Sequence, residues 1–133
     1  MSEFATPRAV FQRLLDGIIA RRPGDLPRLY AEDAVVVQPF AHPAARLEGR
    51  AALREHFARL ETLPLEMAAR NVTVHQTADP EVIIAEFEYA GRNTATGREF
   101  LLPNIVVMRV RDGHIVESRD YHDHSGLGLA AGA

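Results

Sequence analysis

Apolar residues recur at helical spacing in the first half of the chain and at alternate positions in the second half. The first helix is predicted to begin at Thr6-Pro7, because threonine is a good N-cap and proline suits the first helical position. It is predicted to end before Pro23-Gly24. The other elements predicted in this half are a short helix over residues 26–33, a strand over 34–40, a loop over 42–47 and a third helix over 48–63.

Four long strands are predicted after Pro64, with turns at residues 78–80, 93–97 and 111–113 between them. Helices followed by antiparallel strands are typical of an α+β fold. We expect a cone-shaped fold, in which three N-terminal helices pack on a strongly curved, mainly antiparallel sheet around a small-molecule cavity. We predict a single domain over residues 1–133, with residues 1–5 and 125–133 poorly ordered, since only Gly, Ala and Leu follow Ser125.

Composition narrows the classes of function. The 133 residues suit one domain, and 47% hydrophobic residues suffice for an ordinary core. The net charge of −3 shows no excess of basic residues of the kind that binds nucleic acid. The absence of cysteine excludes disulfides and thiolate catalysis. The N-terminus lacks the features of a signal peptide, and no apolar run approaches the ~20 residues of a membrane span. We therefore expect a cytoplasmic protein without nucleic-acid or membrane partners.

Side chains that can carry chemistry accumulate at one end of the last hairpin, residues 100–124. They are Asn104 on its first strand and Asp120, His122, Asp123 and His124 on its second. The turn between the strands is predicted to have three residues and to end in Gly113, because glycine suits the left-handed position of such a turn.

The predicted turn fixes the register of this hairpin. It sets Asn104 opposite Asp120 and Leu102 opposite His122. One face then carries Phe100, Leu102, Asn104, Val106 and Met108 together with Val116, Ser118, Asp120 and His122. A two-residue turn would shift the pairing by one position. Both faces are half apolar, which suits a sheet covered by helices on one side and by a second subunit on the other, so we predict a homodimer.

Each polar side chain of the hairpin has two interpretations. Asp120 is a candidate general acid or base, or it forms an ion pair with Arg109 or with neighbours of Arg119. His122 relays a proton or binds a ligand carbonyl, or it is a solvated histidine at a strand end. Asn104 orients a ligand oxygen, or it satisfies the neighbouring backbone.

His122 and His124 also form an i, i+2 pair of the kind that binds zinc or iron. Alternation places Asp123 on the opposite face, and the spacing supplies no third ligand. We therefore predict no metal site. The sequence also lacks a phosphate-binding loop and a dinucleotide fingerprint, so we predict no cofactor.

Four segments of the chain, in this order, carry a resemblance to a known family: GDLPRLYAEDAVVVQP, EGRAALREHF, EFEYAGR and VMRVRDGHIVESRDYHD. Together they resemble the nuclear transport factor 2-like superfamily, especially its SnoaL-like and ketosteroid-isomerase-like branches. In SnoaL-like cyclases and their phenazine-biosynthesis relatives, an acid on the last strand faces the cavity. The resemblance assigns that place to Asp120, within Arg119-Asp120-Tyr121, and it favours a register with Asp120 inward.

The same resemblance argues against one activity. Ketosteroid isomerases need a basic Asp before the proline of the first strand, a Tyr on the first helix and an acidic Asp on the penultimate strand. The matching residues here are Gln38, Leu14 and Val106, none of which can replace those groups. We therefore expect a protein that is not a ketosteroid isomerase.

Three functions remain open. The first is a cofactor-independent isomerase, cyclase or lyase that acts on a small hydrophobic carbonyl compound, with Asp120 moving the proton and His122 and Asn104 orienting the oxygen. The second is a non-catalytic small-molecule-binding domain, and the third is a dimerisation domain. The residues expected to contact the ligand are Leu14, Tyr30, Gln38, Phe57, Met67, Phe87, Val106 and Ser118. His42, His56 and His114 are expected at the surface.

Overall fold

The computed structural model describes residues 4–132. The helices are α1 (Pro7–Ile19), α2 (Gly49–Glu61) and α3 (His124–Ala130). The strands are β1 (Tyr30–Gln38), β2 (Ala45–Glu48), β3 (Leu65–Gln76), β4 (Val82–Asn93), β5 (Glu99–Arg111) and β6 (His114–His122). They form a curved sheet in the order β2-β1-β6-β5-β4-β3, antiparallel throughout except between β1 and β6. The predicted α+β fold is therefore confirmed.

Helix α1 begins as predicted. Thr6 Oγ1 accepts a hydrogen bond from Ala9 N at 3.2 Å, and Pro7 occupies the first helical position. The apolar face of the helix, which includes the fully buried Val10 and Phe11, packs towards β3 and β5. Burying such a face is what stabilises a helix of this length, since isolated helices of 13 residues are marginal in water.

Two predictions for the first half of the chain are wrong. Residues 26–33 do not form a helix, because two short 3-10 turns, Pro23–Asp25 and Pro27–Leu29, lead directly into β1. The strand starts early because Tyr30 pairs with Ile115 of β6, a long-range contact that a local pattern does not reveal. The predicted loop over residues 42–47 is also partly wrong, since β2 pairs along its length with β1.

The predicted three-residue turn of the last hairpin is wrong as well. The turn consists of Asp112 and Gly113, whose φ angles are 51° and 78°. Arg111 pairs with His114 directly across it. Two successive residues with positive φ form the type I′ turn, whose twist matches that of the paired strands.

A β-bulge at Val116 then moves the register by one further position. Ile115 pairs with Val110, whereas Glu117 pairs with Arg109, so Val116 is an extra residue on β6. Beyond the bulge, the pairs are Met108–Ser118, Val106–Asp120 and Asn104–His122. The pairs predicted from the sequence, Asn104–Asp120 and Leu102–His122, are therefore wrong. Two successive shifts preserve the inner face, except that Ile115, and not Val116, is buried on it.

The C-terminal segment forms α3, where the sequence predicted a poorly ordered tail. Asp123 caps the helix by accepting a hydrogen bond from Gly126 N at 2.8 Å. The buried side chain of Asn93 donates to Ala130 O at 2.9 Å, and its own oxygen accepts from two backbone N–H groups of the β4–β5 turn. These bonds hold α3 against the sheet. Residues 1–3 and 133, also predicted to be poorly ordered, lie outside the described residues.

The hydrophobic core lies between the inner face of the sheet and the helices. Met108 and Ile115 from the sheet are 1% and 0% exposed, and Leu53 and Phe57 from α2 pack against the same cluster. Within residues 4–132, no helix combines the length and the apolar character that crossing a membrane requires.

Candidate functional site

A cavity of about 200 Å³ opens beside this core, between the inner face of the sheet and the helices. The volume lies below the usual range of ligand sites, ~300–1,000 Å³, so the cavity suits a small ligand. The predicted site residues that line it are Leu14, Tyr30, Gln38, Phe57, Met67, Phe87, Asn104, Val106, Asp120 and His122. Ser118 does not line it, because its side chain lies behind Asp120 and is 2% exposed.

Asp120 projects into the cavity with one carboxylate oxygen already engaged. Ser118 Oγ donates a hydrogen bond to Oδ1 at 2.6 Å. The other oxygen, Oδ2, lies 3.8 Å from His122 Nε2, and the side chain of Asp120 is 16% exposed. Arg109, the alternative partner considered from the sequence, instead pairs with three carboxylates at the opposite end of the hairpin. Asp120 is therefore available to a ligand.

Asn104 fixes the orientation of His122. Asn104 Nδ2 donates to Leu102 O at 3.0 Å, which leaves Oδ1 as the acceptor for His122 Nδ1 at 2.8 Å. The proton of a neutral His122 ring is thereby placed on Nδ1, and Nε2 carries the lone pair. Asn104 thus performs one of its two predicted roles, satisfying neighbouring backbone, and in addition it positions the imidazole.

The two free atoms of this pair face a common point. Asp120 Oδ2 and His122 Nε2 lie 3.8 Å apart, which is beyond hydrogen-bond distance. A ligand proton placed between them is therefore within reach of both atoms. This arrangement is suited to general base catalysis, followed by return of the proton from the protonated group.

His56 of α2 belongs to the same cavity, and its predicted surface location is wrong. Burial lowers the pKa of His56 from 6.5 to about 4. The negative charge of Asp120 opposes this shift, whereas Arg59, His122 and His124 reinforce it. His56 is therefore a neutral imidazole at pH 7, opposite the polar residues of the sheet.

His124, the first residue of α3, lies next to His122, with a distance of 5.9 Å between the ring centroids. Its Nε2 is buried and has no hydrogen-bond partner among the described residues. Burial lowers the pKa of His124, and the neighbouring His122 lowers it further.

Across residues 4–132, no group of three or more His, Cys, Asp or Glu side chains has an arrangement that could hold a metal ion.

Two tyrosines complete the polar lining. Tyr30 from β1 and Tyr89 from β4 are 2% and 9% exposed, and both line the cavity. Burial raises the pKa of both hydroxyls, and the charge of Asp120 raises it further. Both side chains are therefore neutral hydrogen-bond donors at any physiological pH.

Comparison with known proteins places this chain in a family. The sequence model of the SnoaL-like domain matches residues 11–118. This chain belongs to the SnoaL-like domain family. An uncharacterized PhzA/B-like protein of Pseudomonas aeruginosa is 35% identical to it over 95 residues, which cover 70% of this chain and 67% of that protein.

Solved structures show the same architecture for this SnoaL-like protein. A proposed isomerase from Bacillus subtilis superposes with a TM-score of 0.87 at 27% identity, covering 99% of this chain and 96% of that one. A proposed polyketide cyclase from Pseudomonas putida superposes with a TM-score of 0.77 at 17% identity, covering 95% of this chain and 98% of that one. The second similarity concerns the fold alone.

His56 and Tyr89 are the site residues that the sequence interpretation missed, although the sequence carries a signal for each. His56 lies three residues after Leu53 and next to Phe57, so it shares their buried helical face. Tyr89 alternates with Phe87 on β4 and therefore faces inward with it. In both cases, the periodicity that identifies the core also identifies the cavity lining.

Proposed function

We propose that this SnoaL-like protein is a cofactor-independent isomerase, cyclase or lyase that transfers a proton next to the carbonyl of a small hydrophobic ligand. The observation that carries the proposal is the convergence of Asp120 Oδ2 and His122 Nε2, 3.8 Å apart, at the wall of an apolar cavity. A carboxylate held by one serine and a histidine held by one asparagine form a positioned acid–base pair.

The contacts of the three residues support a proposed role for each. Asp120 takes the proton from the carbon beside the carbonyl and returns it to another atom of the same ligand. His122 shares or relays that proton through Nε2, and Asn104 keeps the imidazole in the required tautomer. The apolar walls exclude water, which protects the intermediate.

Two further findings support a reaction of this class. Leu14, Gln38 and Val106, which replace the ketosteroid isomerase groups, all line the cavity, so a different set of residues must act there. The similarity to a proposed isomerase, at 27% identity, agrees with chemistry that starts from proton abstraction. An open cavity also disfavours the purely structural alternative, which would leave the cone filled by side chains.

The test is deuterium exchange in heavy water with a panel of small apolar ketones and 1,3-diketones. Proton NMR follows exchange at the carbon next to the carbonyl, and displacement of an apolar fluorescent dye measures binding separately. Exchange above the solvent rate supports the enzyme. Binding without exchange for every compound that binds would instead support the non-catalytic binding domain.

We also propose that the protein is a homodimer that pairs through the outer face of the sheet. Ile105 and Leu101 of β5 are 43% and 51% exposed there, and clusters of large exposed apolar side chains mark interaction surfaces. Sedimentation equilibrium should give a dimer at micromolar concentration, and Ile105→Glu should shift it to a monomer. A wild-type monomer at these concentrations would contradict this proposal without affecting the one on catalysis.

A further inference from the structure

Abstraction of a proton next to a carbonyl leaves a negative charge on the carbonyl oxygen, and an enzyme stabilises that charge with positioned hydrogen-bond donors. In the proposed step, Asp120 Oδ2 and His122 Nε2 receive the proton and do not bind the oxygen. Asn104 already contacts Leu102 and His122. The donors for the oxygen must therefore come from elsewhere in the cavity.

Tyr30 and Tyr89 have unused hydroxyl groups at this place. The ring of Tyr30 packs against Phe57 of α2, with centroids 6.1 Å apart, and that of Tyr89 packs edge-on against Phe87, with centroids 5.3 Å apart. These contacts fix both rings in the cavity wall. No residue in the range 4–132 forms a hydrogen bond with either hydroxyl. His124 Nε2 is the one fully buried, unpaired side-chain N or O atom within residues 4–132, so both tyrosine hydroxyls keep some accessible surface. Since both residues line the cavity, a ligand acceptor there can accept their hydrogen bonds.

We propose that the Tyr30 and Tyr89 hydroxyls together donate hydrogen bonds to the ligand carbonyl oxygen and stabilise its negative charge, an inference that rests on the proposed proton transfer. The step is balanced within the ligand and Asp120. The C–H bond breaks, its proton bonds to Asp120 Oδ2, and its electron pair moves into the new C=C bond while the C=O π pair moves onto oxygen. The tyrosines donate hydrogen bonds and keep their protons.

The electrostatics of the cavity agree with this assignment. Electrostatic interaction with Asp120 raises the pKa of both tyrosines, and interaction with Tyr89 raises the pKa of Tyr30. The three groups therefore share one region of the cavity. All these effects raise the pKa, so both hydroxyls remain donors while Asp120 is ionised.

The experiment measures binding of 4-nitrophenol, whose ionised form imitates an oxyanion and absorbs at longer wavelength than the neutral form. The parent protein is Asp120→Asn, because this amide imitates the protonated carboxyl and does not repel the phenolate. Tyr30→Phe and Tyr89→Phe are each added to it. Each should weaken phenolate binding about 10- to 100-fold, the loss expected for one hydrogen bond to a charged group.

The matched control is Tyr121→Phe, the same change at the third tyrosine, which packs on Phe40 outside the cavity with ring centroids 5.3 Å apart. It should bind the phenolate like the parent. Nitrobenzene, a neutral probe of similar shape, should bind all four proteins alike, which separates a lost donor from a damaged cavity.

The proposal is overturned if the parent does not bind the phenolate, or if either cavity variant keeps the parent's affinity. It is also overturned if nitrobenzene affinity falls in parallel with phenolate affinity. Because this assay involves no turnover, its result is independent of the exchange experiment. Loss of exchange in Asp120→Asn, with equal phenolate binding in all variants, would refute the tyrosine donors and retain the proton transfer.

Discussion

The half-buried histidine of α2 gives a prediction whose size follows from the structure. His56 has a pKa of about 4 in the folded protein, against an ordinary value of 6.5. Below pH 6.5 the unfolded chain binds a proton at this position that the folded protein does not bind until about pH 4. Stability is therefore lost as the pH falls through this window and is fully present above it.

The magnitude follows from the difference in proton binding. At 1.36 kcal/mol per pKa unit, His56 should cost about 2 kcal/mol of unfolding free energy between pH 7 and pH 5, and about 3 kcal/mol by pH 4. His56→Gln replaces the imidazole by an amide that does not titrate, so this part of the pH dependence should disappear. The groups that face His56, which are Asp120, Arg59, His122 and His124, remain in the variant.

Urea unfolding at pH 7 and pH 5, followed by circular dichroism, measures the effect. The wild type should lose about 2 kcal/mol more than His56→Gln between the two pH values. His114→Gln, the same change at the exposed first residue of β6, is the control and should behave like the wild type. Equal pH dependence in the wild type and in His56→Gln would refute the reasoning that burial keeps this imidazole neutral.

Three further predictions concern the scaffold of the site. Met108→Ala should lower the unfolding free energy by about 2–5 kcal/mol in urea, since the side chain is 1% exposed; a loss below 1 kcal/mol would contradict its place in the core. Gly91→Ala should cost about 1–3 kcal/mol, because an added Cβ would lie 2.0 Å from Glu66 O of β3; unchanged stability would show that the strands are not this close. Asn93→Ala should leave Ala130 O unpaired and speed amide hydrogen exchange in α3 about tenfold or more, with the β5 amides unchanged; equal exchange in α3 would contradict the anchoring role.

The parts of the fold that could be predicted from the sequence are those set by local patterns. The cap of α1 and the four long strands follow from side-chain periodicity and from favoured terminal residues. The early start of β1 could not be found this way, because Tyr30 is extended by pairing with distant Ile115. Helix α3 was missed because its two glycines lower its helix propensity, whereas the cap by Asp123 and the bond from Asn93 stabilise it.

The last hairpin shows how a wrong register can still give the right face. The two-residue turn at Asp112-Gly113 alone would have exchanged the inner and outer faces of β6 relative to the prediction. The bulge at Val116 exchanged them a second time, which restored the predicted faces. Asp120 consequently lines the cavity as the sequence predicted, although it lies opposite Val106. A bulge depends on packing across the sheet, so the sequence of the hairpin does not predict it.

The same double shift determines the chemistry of the site. It sets Asn104 beside His122 at hydrogen-bonding distance, which leaves Asp120 to bind Ser118 and face the ligand. The predicted pairing would have placed Asn104 on the carboxylate instead. The positioned acid–base pair is therefore a product of tertiary structure.

The most direct test of this account is the exchange rate of a bound ketone in heavy water, measured by NMR at saturating ligand for Asp120→Asn and for Asp112→Asn. Asp112 lies in the turn of the same hairpin, at a positive φ that asparagine tolerates, so the control makes the same chemical change outside the cavity. Asp120→Asn should slow exchange ~10²- to 10⁴-fold with ligand affinity retained, and Asp112→Asn should exchange at the wild-type rate. Equal exchange in Asp120→Asn and in the wild type would contradict the central claim that this carboxylate moves the proton.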